Sequence, residues 1–346
     1  MPPQAPEPAG PATPTAPEQR APARRRGAAP ADLAGMASLA LRDLLTGPRR
    51  EGQIIATCRG MAFAEFPGIG HEPRVVAICG PDTIRLPNAV IATSMALTRG
   101  PATAPGPPPG QDAPSVADLI TMATTARAVR GRPRPPAVHA GRGQVQIGEL
   151  TVQARRWWDP SPVFGPLSRA RLDRGAAVLG KLCTQGPPGP AMAGHPAAKA
   201  LAVCCASGDL AGAVEQAEIL VGLGPGLVPA GDGLLCGMLL ALRLLGGAIP
   251  GGTRAVWLAG WLSAAVTNYS WQRTTPLASA LLDCAARGQA AAEVAVVLHS
   301  IAGEEQLEPA VRKLLAAEAH GPGLGSADLA WGLVTGCRAA QVLSVS

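Results

Sequence analysis

The chain has 346 residues, 47% of them hydrophobic and 16% charged, with a formal net charge of +6 at pH 7. This supports a substantial core and a length on the order of two domains of ~150 residues each. Only 3% of the residues are aromatic, and the basic excess is local (Arg20, Arg24, Arg25, Arg26; then Arg127, Arg130, Arg132, Arg134) rather than a stripe interleaved with aromatics, so no nucleic-acid partner is expected.

In chain order, residues 1–30 are rich in Pro, Ala and Arg and read as a disordered head without the apolar segment of a leader peptide. Leu33, Met36, Leu39, Ala40 and Leu44 then predict a helix over 31–45. Short apolar runs bounded by Gly, Pro and Asp follow at 54–58, 61–66, 74–79 and 88–92 and predict strands. Residues 103–114 read as a Pro/Gly linker, and Ser115 as the cap of a helix reaching Val129, with Asp118 three residues on. Two more strands, 144–148 and 150–154, meet at a tight Gly148-Glu149 turn.

Beyond Leu167 the periodicity is helical, with candidates at 169–182, 197–220, 232–245, 254–268, 277–287, 291–301, 308–320 and 326–342. The expected fold class is therefore α+β. An antiparallel β-rich N-terminal half (a sheet or small barrel, 31–166) precedes a mostly helical C-terminal half (167–346). The longest apolar run, Leu234 to Ile249, is broken by Arg243 and three glycines and falls short of the ~18–20 residues of a bilayer span, so it reads as a core helix and no membrane partner is expected. Eight cysteines without a C-x-x-C pair suggest reduced, buried thiols and a cytoplasmic setting. The five histidines lack ligand spacing, so neither a metal nor a cofactor is expected.

Three loops carry the chemistry. The first runs from Val221 to Gly233 and packs five glycines and two prolines between two apolar runs. Gly226 and Gly231 have the spacing of a phosphate-binding loop, yet Asp232 and Gly233 stand where that loop needs Lys and Ser/Thr. Nor do Gly222, Gly224 and Gly226 match the dinucleotide fingerprint. Asp232 is either a helix cap or a ligand-facing carboxylate beside glycine-loop amides that can hold an anion. The second loop, Arg273-Thr274-Thr275-Pro276, combines a helix-start signature with an anion site of hydroxyls and guanidinium. In the third, Ser326 and Asp328 precede the last helix as caps or ligand groups, with His320 a lone candidate base.

Taken together, the Gly-Leu-Gly-Pro-Gly-Leu-x-Pro-x-Gly-Asp loop at 222–232, Thr274-Thr275-Pro276-Leu277, and Asp328-Leu329 with Gly332 resemble one bacterial family, that of the AllH-type subunit of oxamate carbamoyltransferase from anaerobic allantoin breakdown. Pro87-Asn88 and the 144–154 hairpin are compatible with it. In that family the loop reads Leu-Thr-Pro-x-Gly-Asp-Asp; here Val228 and Gly233 replace the Thr and the second Asp. The resemblance implies a subunit that joins hetero-oligomeric partners and helps transfer a carbamoyl group between a small carboxylated amide and phosphate. It would hold its ligand with Gly222, Gly224, Gly226, Gly231, Asp232, Arg273, Thr274, Thr275, Ser326 and Asp328, through no nameable nucleophile. The alternative is a non-catalytic assembly or small-ligand-binding subunit.

Overall fold

A computed structural model describes residues 31–58, 60–68, 74–94, 115–124, 127–129, 132–134, 136–185, 189–303, 306–316 and 324–344. The head (1–30), the linker (103–114) and His320 lie outside them. The N-terminal half contains β1 (Ala31–Ser38), α1 (Arg42–Thr46), β2 (Arg50–Cys58), β3 (Met61–Phe66), β4 (Arg74–Cys79), β5 (Ala89–Ser94), α2 (Val116–Thr124), β6 (Arg127–Val129), β7 (Arg132–Arg134), β8 (Val138–Gly141), β9 (Gln144–Ile147) and β10 (Leu150–Trp158). The helical half contains α3 (Arg169–Gln185), α4 (Pro196–Ser207), α5 (Leu210–Leu220), α6 (Ala230–Leu240), α7 (Gly246–Ala248), α8 (Thr253–Thr267), α9 (Ser270–Arg273), α10 (Pro276–Ala286), α11 (Ala292–Gly303), α12 (Leu307–Ala316) and α13 (Ser326–Leu343).

Eight strands close into a barrel in the order β1-β10-β9-β8-β2-β3-β4-β5, and β6 and β7 pair separately. The expected small barrel is therefore present, but it is not wholly antiparallel: β1 runs parallel to β10, and β4 parallel to β5. The helix predicted over 31–45 is instead β1 followed by a 3-10 turn and the short α1. Leu33, Gly35 and Ala37 are buried at period two, and the strand's edges are taken by β10 and β5. Barrel closure thus overrides a weak helical periodicity. The helix after Ser115 also stops earlier than predicted, at Thr124, and Arg127–Val129 is strand. Its start is as expected: Ser115 and Asp118 cap one another reciprocally, the Asp118 amide donating to Ser115 Oγ at 3.1 Å and the Ser115 amide to Asp118 Oδ2 at 3.0 Å. The single helix predicted over 197–220 is split into α4 and α5 by Gly208, which ends α4 at φ 74°.

Alternation along β3, β4 and β5 divides the core. Ala62, Ala64, Phe66, Val76, Ile78, Val90 and Ala92 join the cluster that fills the barrel, with Leu44, Leu45 and Ile120 of α1 and α2 at its ends. Their neighbours Met61, Phe63, Val75, Ala77, Cys79, Ala89 and Ile91 face the other way and merge with the helical core. Strands buried on both faces read as continuous apolar runs, which is why these three were legible in sequence.

At the centre of the helices lies α6, whose residues 231–240 are all buried. It continues through a π-helical turn (Ala241–Leu245) into α7, giving one apolar stretch over Ala230–Ala248 that is 78% buried inside the fold, as suits a core helix. It crosses α13 in close contact. A Cβ on Gly237 would sit 2.0 Å from the Leu329 carbonyl oxygen, and one on Gly332 would sit 2.0 Å from that of Leu234. Backbone meets backbone there, so no side chain can yield. Gly237→Ala should therefore cost about 2 kcal/mol or more by overpacking, whereas Gly260→Ala on the exposed face of α8, where a Cβ meets nothing within 4 Å, should stabilise by about 0.5–1 kcal/mol. Urea denaturation of the two variants measures both signs.

Candidate functional site

The glycine loop leaves α5 at Leu220 and enters α6 at Ala230, with Gly224, Pro225 and Gly226 exposed at its apex and Val228 and Pro229 buried. Pro229 occupies the N-cap of α6 and supplies no side-chain cap. Asp232, in the first turn, spends its carboxylate elsewhere. Its Oδ1 accepts the Gly222 amide at 3.0 Å, and its Oδ2 accepts the Thr274 hydroxyl in a short hydrogen bond. The carboxylate is completely buried and ties both ends of the glycine loop to the turn between α9 and α10. Burial pushes its proton affinity above the ordinary carboxylate value, and the Thr274 hydroxyl, the Gly222 amide and the Arg273 charge pull the other way without prevailing.

Neighbouring contacts tighten the junction. Gly222 has φ 74°, and a Cβ there would lie 2.2 Å from the Arg273 carbonyl oxygen, so only glycine allows the loop to meet the turn. The Gly231 amide donates to the Leu223 carbonyl at 2.9 Å. Thr275 Oγ1 donates to the Leu227 carbonyl at 2.5 Å and accepts the Ala278 amide at 3.1 Å, so it both caps α10 and holds the loop. Arg273 is exposed and donates through one guanidinium nitrogen to the Glu218 carbonyl. Among the described residues, the amides of Gly224, Gly226, Leu227 and Val228 have no acceptor. Those of the exposed Gly224 and Gly226 are donors of the kind that suits an anion.

The third loop joins from the far side of α6. Gly325 is the N-cap of α13 at φ 65°, with the Val228 carbonyl and Gly233 against it. Ser326 is buried and, with Val228, Gly233, Cys236, Leu324 and Leu329, borders an apolar cavity of about 40 Å³. Asp328 Oδ1 accepts the Met192 amide at 2.7 Å, anchoring the turn before α4. The structure thus gathers Gly222, Gly231, Asp232, Arg273, Thr274 and Thr275 at one junction. It places Gly224 and Gly226 on the open loop above, Ser326 behind α6, and Asp328 in a separate structural contact.

Sequence spacing missed a larger cavity of about 420 Å³ between the barrel and α8–α10. Its one visible signal was Pro87-Asn88 ahead of β5. Among the described residues, no three His, Cys, Asp or Glu side chains gather as a metal site.

A family model described as oxamate carbamoyltransferase subunit AllH matches residues 220–337, a segment that begins at the glycine loop and ends inside α13. No curated protein and no solved structure matches the chain.

Asp232→Ala would strand the Gly222 amide and the Thr274 hydroxyl and should destabilise the protein by about 2–4 kcal/mol. Asp232→Asn keeps an acceptor for Gly222 and a partner for Thr274. Because the folded-state pKa of Asp232 is raised, its protonated form contributes stability that is fully present below the unfolded-state pKa and is lost as pH rises through the folded value. Urea melts between acidic and neutral pH should therefore show Asp232→Asn gaining on the wild type as pH rises; a variant that instead falls behind would mean a depressed pKa.

Proposed function

We propose, from the match of residues 220–337 to the family model of oxamate carbamoyltransferase subunit AllH, that the chain works as one subunit of a carbamoyltransferase-type complex, helping to move a carbamoyl group between a small carboxylated amide such as oxamate and phosphate. The observation that carries this reading is the Asp232 junction. It anchors the glycine loop, whose apex amides are unpaired, to the turn that follows Arg273, within the matched segment. Unpaired amides and a guanidinium fork each favour a phosphate or carboxylate oxygen.

Carbamoyl transfer from one heteroatom to another needs no covalent enzyme intermediate when the two reactants are held together and the developing charge is stabilised. The thiols fit such a role poorly as nucleophiles: burial pushes Cys79, Cys205 and Cys337 up to about 12, and Cys236 well above its ordinary value. Asp232, with both oxygens engaged, positions the loop. Trp257 and Trp261, four residues apart on the outer face of α8 and 70% and 58% exposed, give a partner subunit large apolar side chains to cover. Eight free cysteines support a reducing, cytoplasmic setting.

A second reading, a non-catalytic assembly or ligand-binding subunit, is favoured by Val228 and Gly233. The two border the same small apolar cavity with Ser326, so a hydroxyl and a carboxylate at these positions would have made it polar. The test is reconstitution of the chain with partner subunits and an assay for carbamoyl transfer between carbamoyl phosphate and oxamate. Transfer should require this chain, and Arg273→Gln should lower kcat/KM by at least about tenfold, the loss of one charged contact. Transfer that requires the chain yet is indifferent to Arg273→Gln would select the assembly role; transfer without the chain would end both.

A further inference from the structure

Among the described residues, nothing covers the outer face of α8. Arg254, Trp257, Gly260, Trp261, Ala264 and Asn268 recur along it at helical spacing, and all six are exposed. The stripe holds no carboxylate. Trp257 and Trp261 are 70% and 58% exposed, which leaves roughly 300 Å² of indole surface open on each chain, a patch of the size that marks a contact.

Two further features of this face have no use within the chain. A Cβ on Gly260, between the tryptophans, would meet nothing within 4 Å. Every other glycine in the interior of a described helix has a neighbour inside that distance, such as Ile301 at Gly175, the Leu329 carbonyl at Gly237 and the Leu234 carbonyl at Gly332. A glycine inside a helix weakens it, and at those positions close packing offsets the loss. At Gly260 the room a glycine leaves is open to the outside. Arg254, in turn, lies in the first turn of α8, where the positive end of the helix dipole disfavours a cation. No acidic residue shares that turn, and among the described residues no carboxylate pairs with Arg254. The last turn, at the negative end, has no basic residue.

We propose that this face binds a second copy of the chain, the two α8 helices packing antiparallel about a two-fold axis that passes between Gly260 and Trp261. That register sets Trp261 against the copy's Gly260, and Trp257 against its Ala264, so each large side chain meets a small one. It also sets Arg254 against the copy's Thr267, at the negative end of the opposite helix, where a cation is favoured. Each contact is made twice, as a two-fold interface requires. An unrelated surface would need the ridge or the notch; a face that carries both, with a cation at one end and a bare negative helix terminus at the other, is complementary to itself. Six residues from each chain bury on the order of 1,000 Å² in total, the low end for a specific interface, so the dimer dissociates on dilution. Nothing in this inference depends on carbamoyl transfer.

Sedimentation equilibrium of the full chain without other subunits tests it. Monomer and dimer should exchange with a Kd of about 100 µM or tighter. Trp261→Glu and Gly260→Leu should each weaken the dimer at least about tenfold. Val163→Glu, at a position outside α8 that is 83% exposed, should leave it unchanged. Arg254→Glu separates docking from a local effect. Far below the measured Kd its thermal midpoint should rise, because a carboxylate suits a helix start, yet its dimer should be at least about threefold weaker. Circular dichroism checks that each variant is folded, and Gly260→Leu decides the matter if the tryptophan variant is not. A chain that stays monomeric up to about 200 µM would overturn the proposal. So would a dimer indifferent to both Trp261→Glu and Gly260→Leu, which would lie on another face. A monomeric chain whose Trp261→Glu form no longer joins other subunits would assign the face to them and overturn it equally.

Discussion

A single buried carboxylate organises the helical half. Asp232 accepts one hydrogen bond from the start of the glycine loop and one from the turn after α9, and it does so without any exposure to water. A carboxylate taken out of solvent is unfavourable unless its oxygens are satisfied. Meeting that demand requires the Gly222 amide and the Thr274 hydroxyl to stay in place, which in turn brings the Arg273 backbone against Gly222. The exposed apex of the loop is therefore held at both feet, and its unpaired amides are presented from a rigid base.

The helix that carries Asp232 could not occupy the centre of the fold without its glycines. Gly237 of α6 and Gly332 of α13 let two backbones touch, and α6 is buried on every side. An ionisable side chain at the start of such a helix is protected from solvent by the same packing that makes it costly. The barrel contributes a second consequence of close packing. The outward residues of β3, β4 and β5 merge with the helical core, and where that seam does not close, beside Asn88, the 420 Å³ cavity remains.

Much of this was legible in sequence, and for identifiable reasons. Strands β3 and β4 were read with their observed bounds because both of their faces are apolar and Gly, Pro and Asp punctuate their ends. The glycine loop stood out because so many glycines and prolines between two apolar runs have no use in a regular element. β1 was misread because Leu33, Met36 and Ala40 match a helical period by chance, while the partners that make it a strand, β5 and β10, are remote in sequence. The role of Asp232 was hidden for a related reason. An Asp near a helix start reads as a cap, and nothing local reveals that its two partners lie 10 residues upstream and 42 residues downstream. Asn88 shows the same limit: it lines a cavity that exists only where barrel and helices meet.

Amide hydrogen exchange at the two segments joined by Asp232 tests the account most directly. In the wild type, the Gly222 amide should be protected far beyond the exposed apex at Gly224–Gly226. In Asp232→Ala, protection should be lost together around Gly222 and at the Thr274–Leu277 turn, while the barrel strands keep theirs. A Gly222 amide that exchanges freely in the wild type, or two segments that lose protection independently of one another, would contradict the claim that this carboxylate holds the site together.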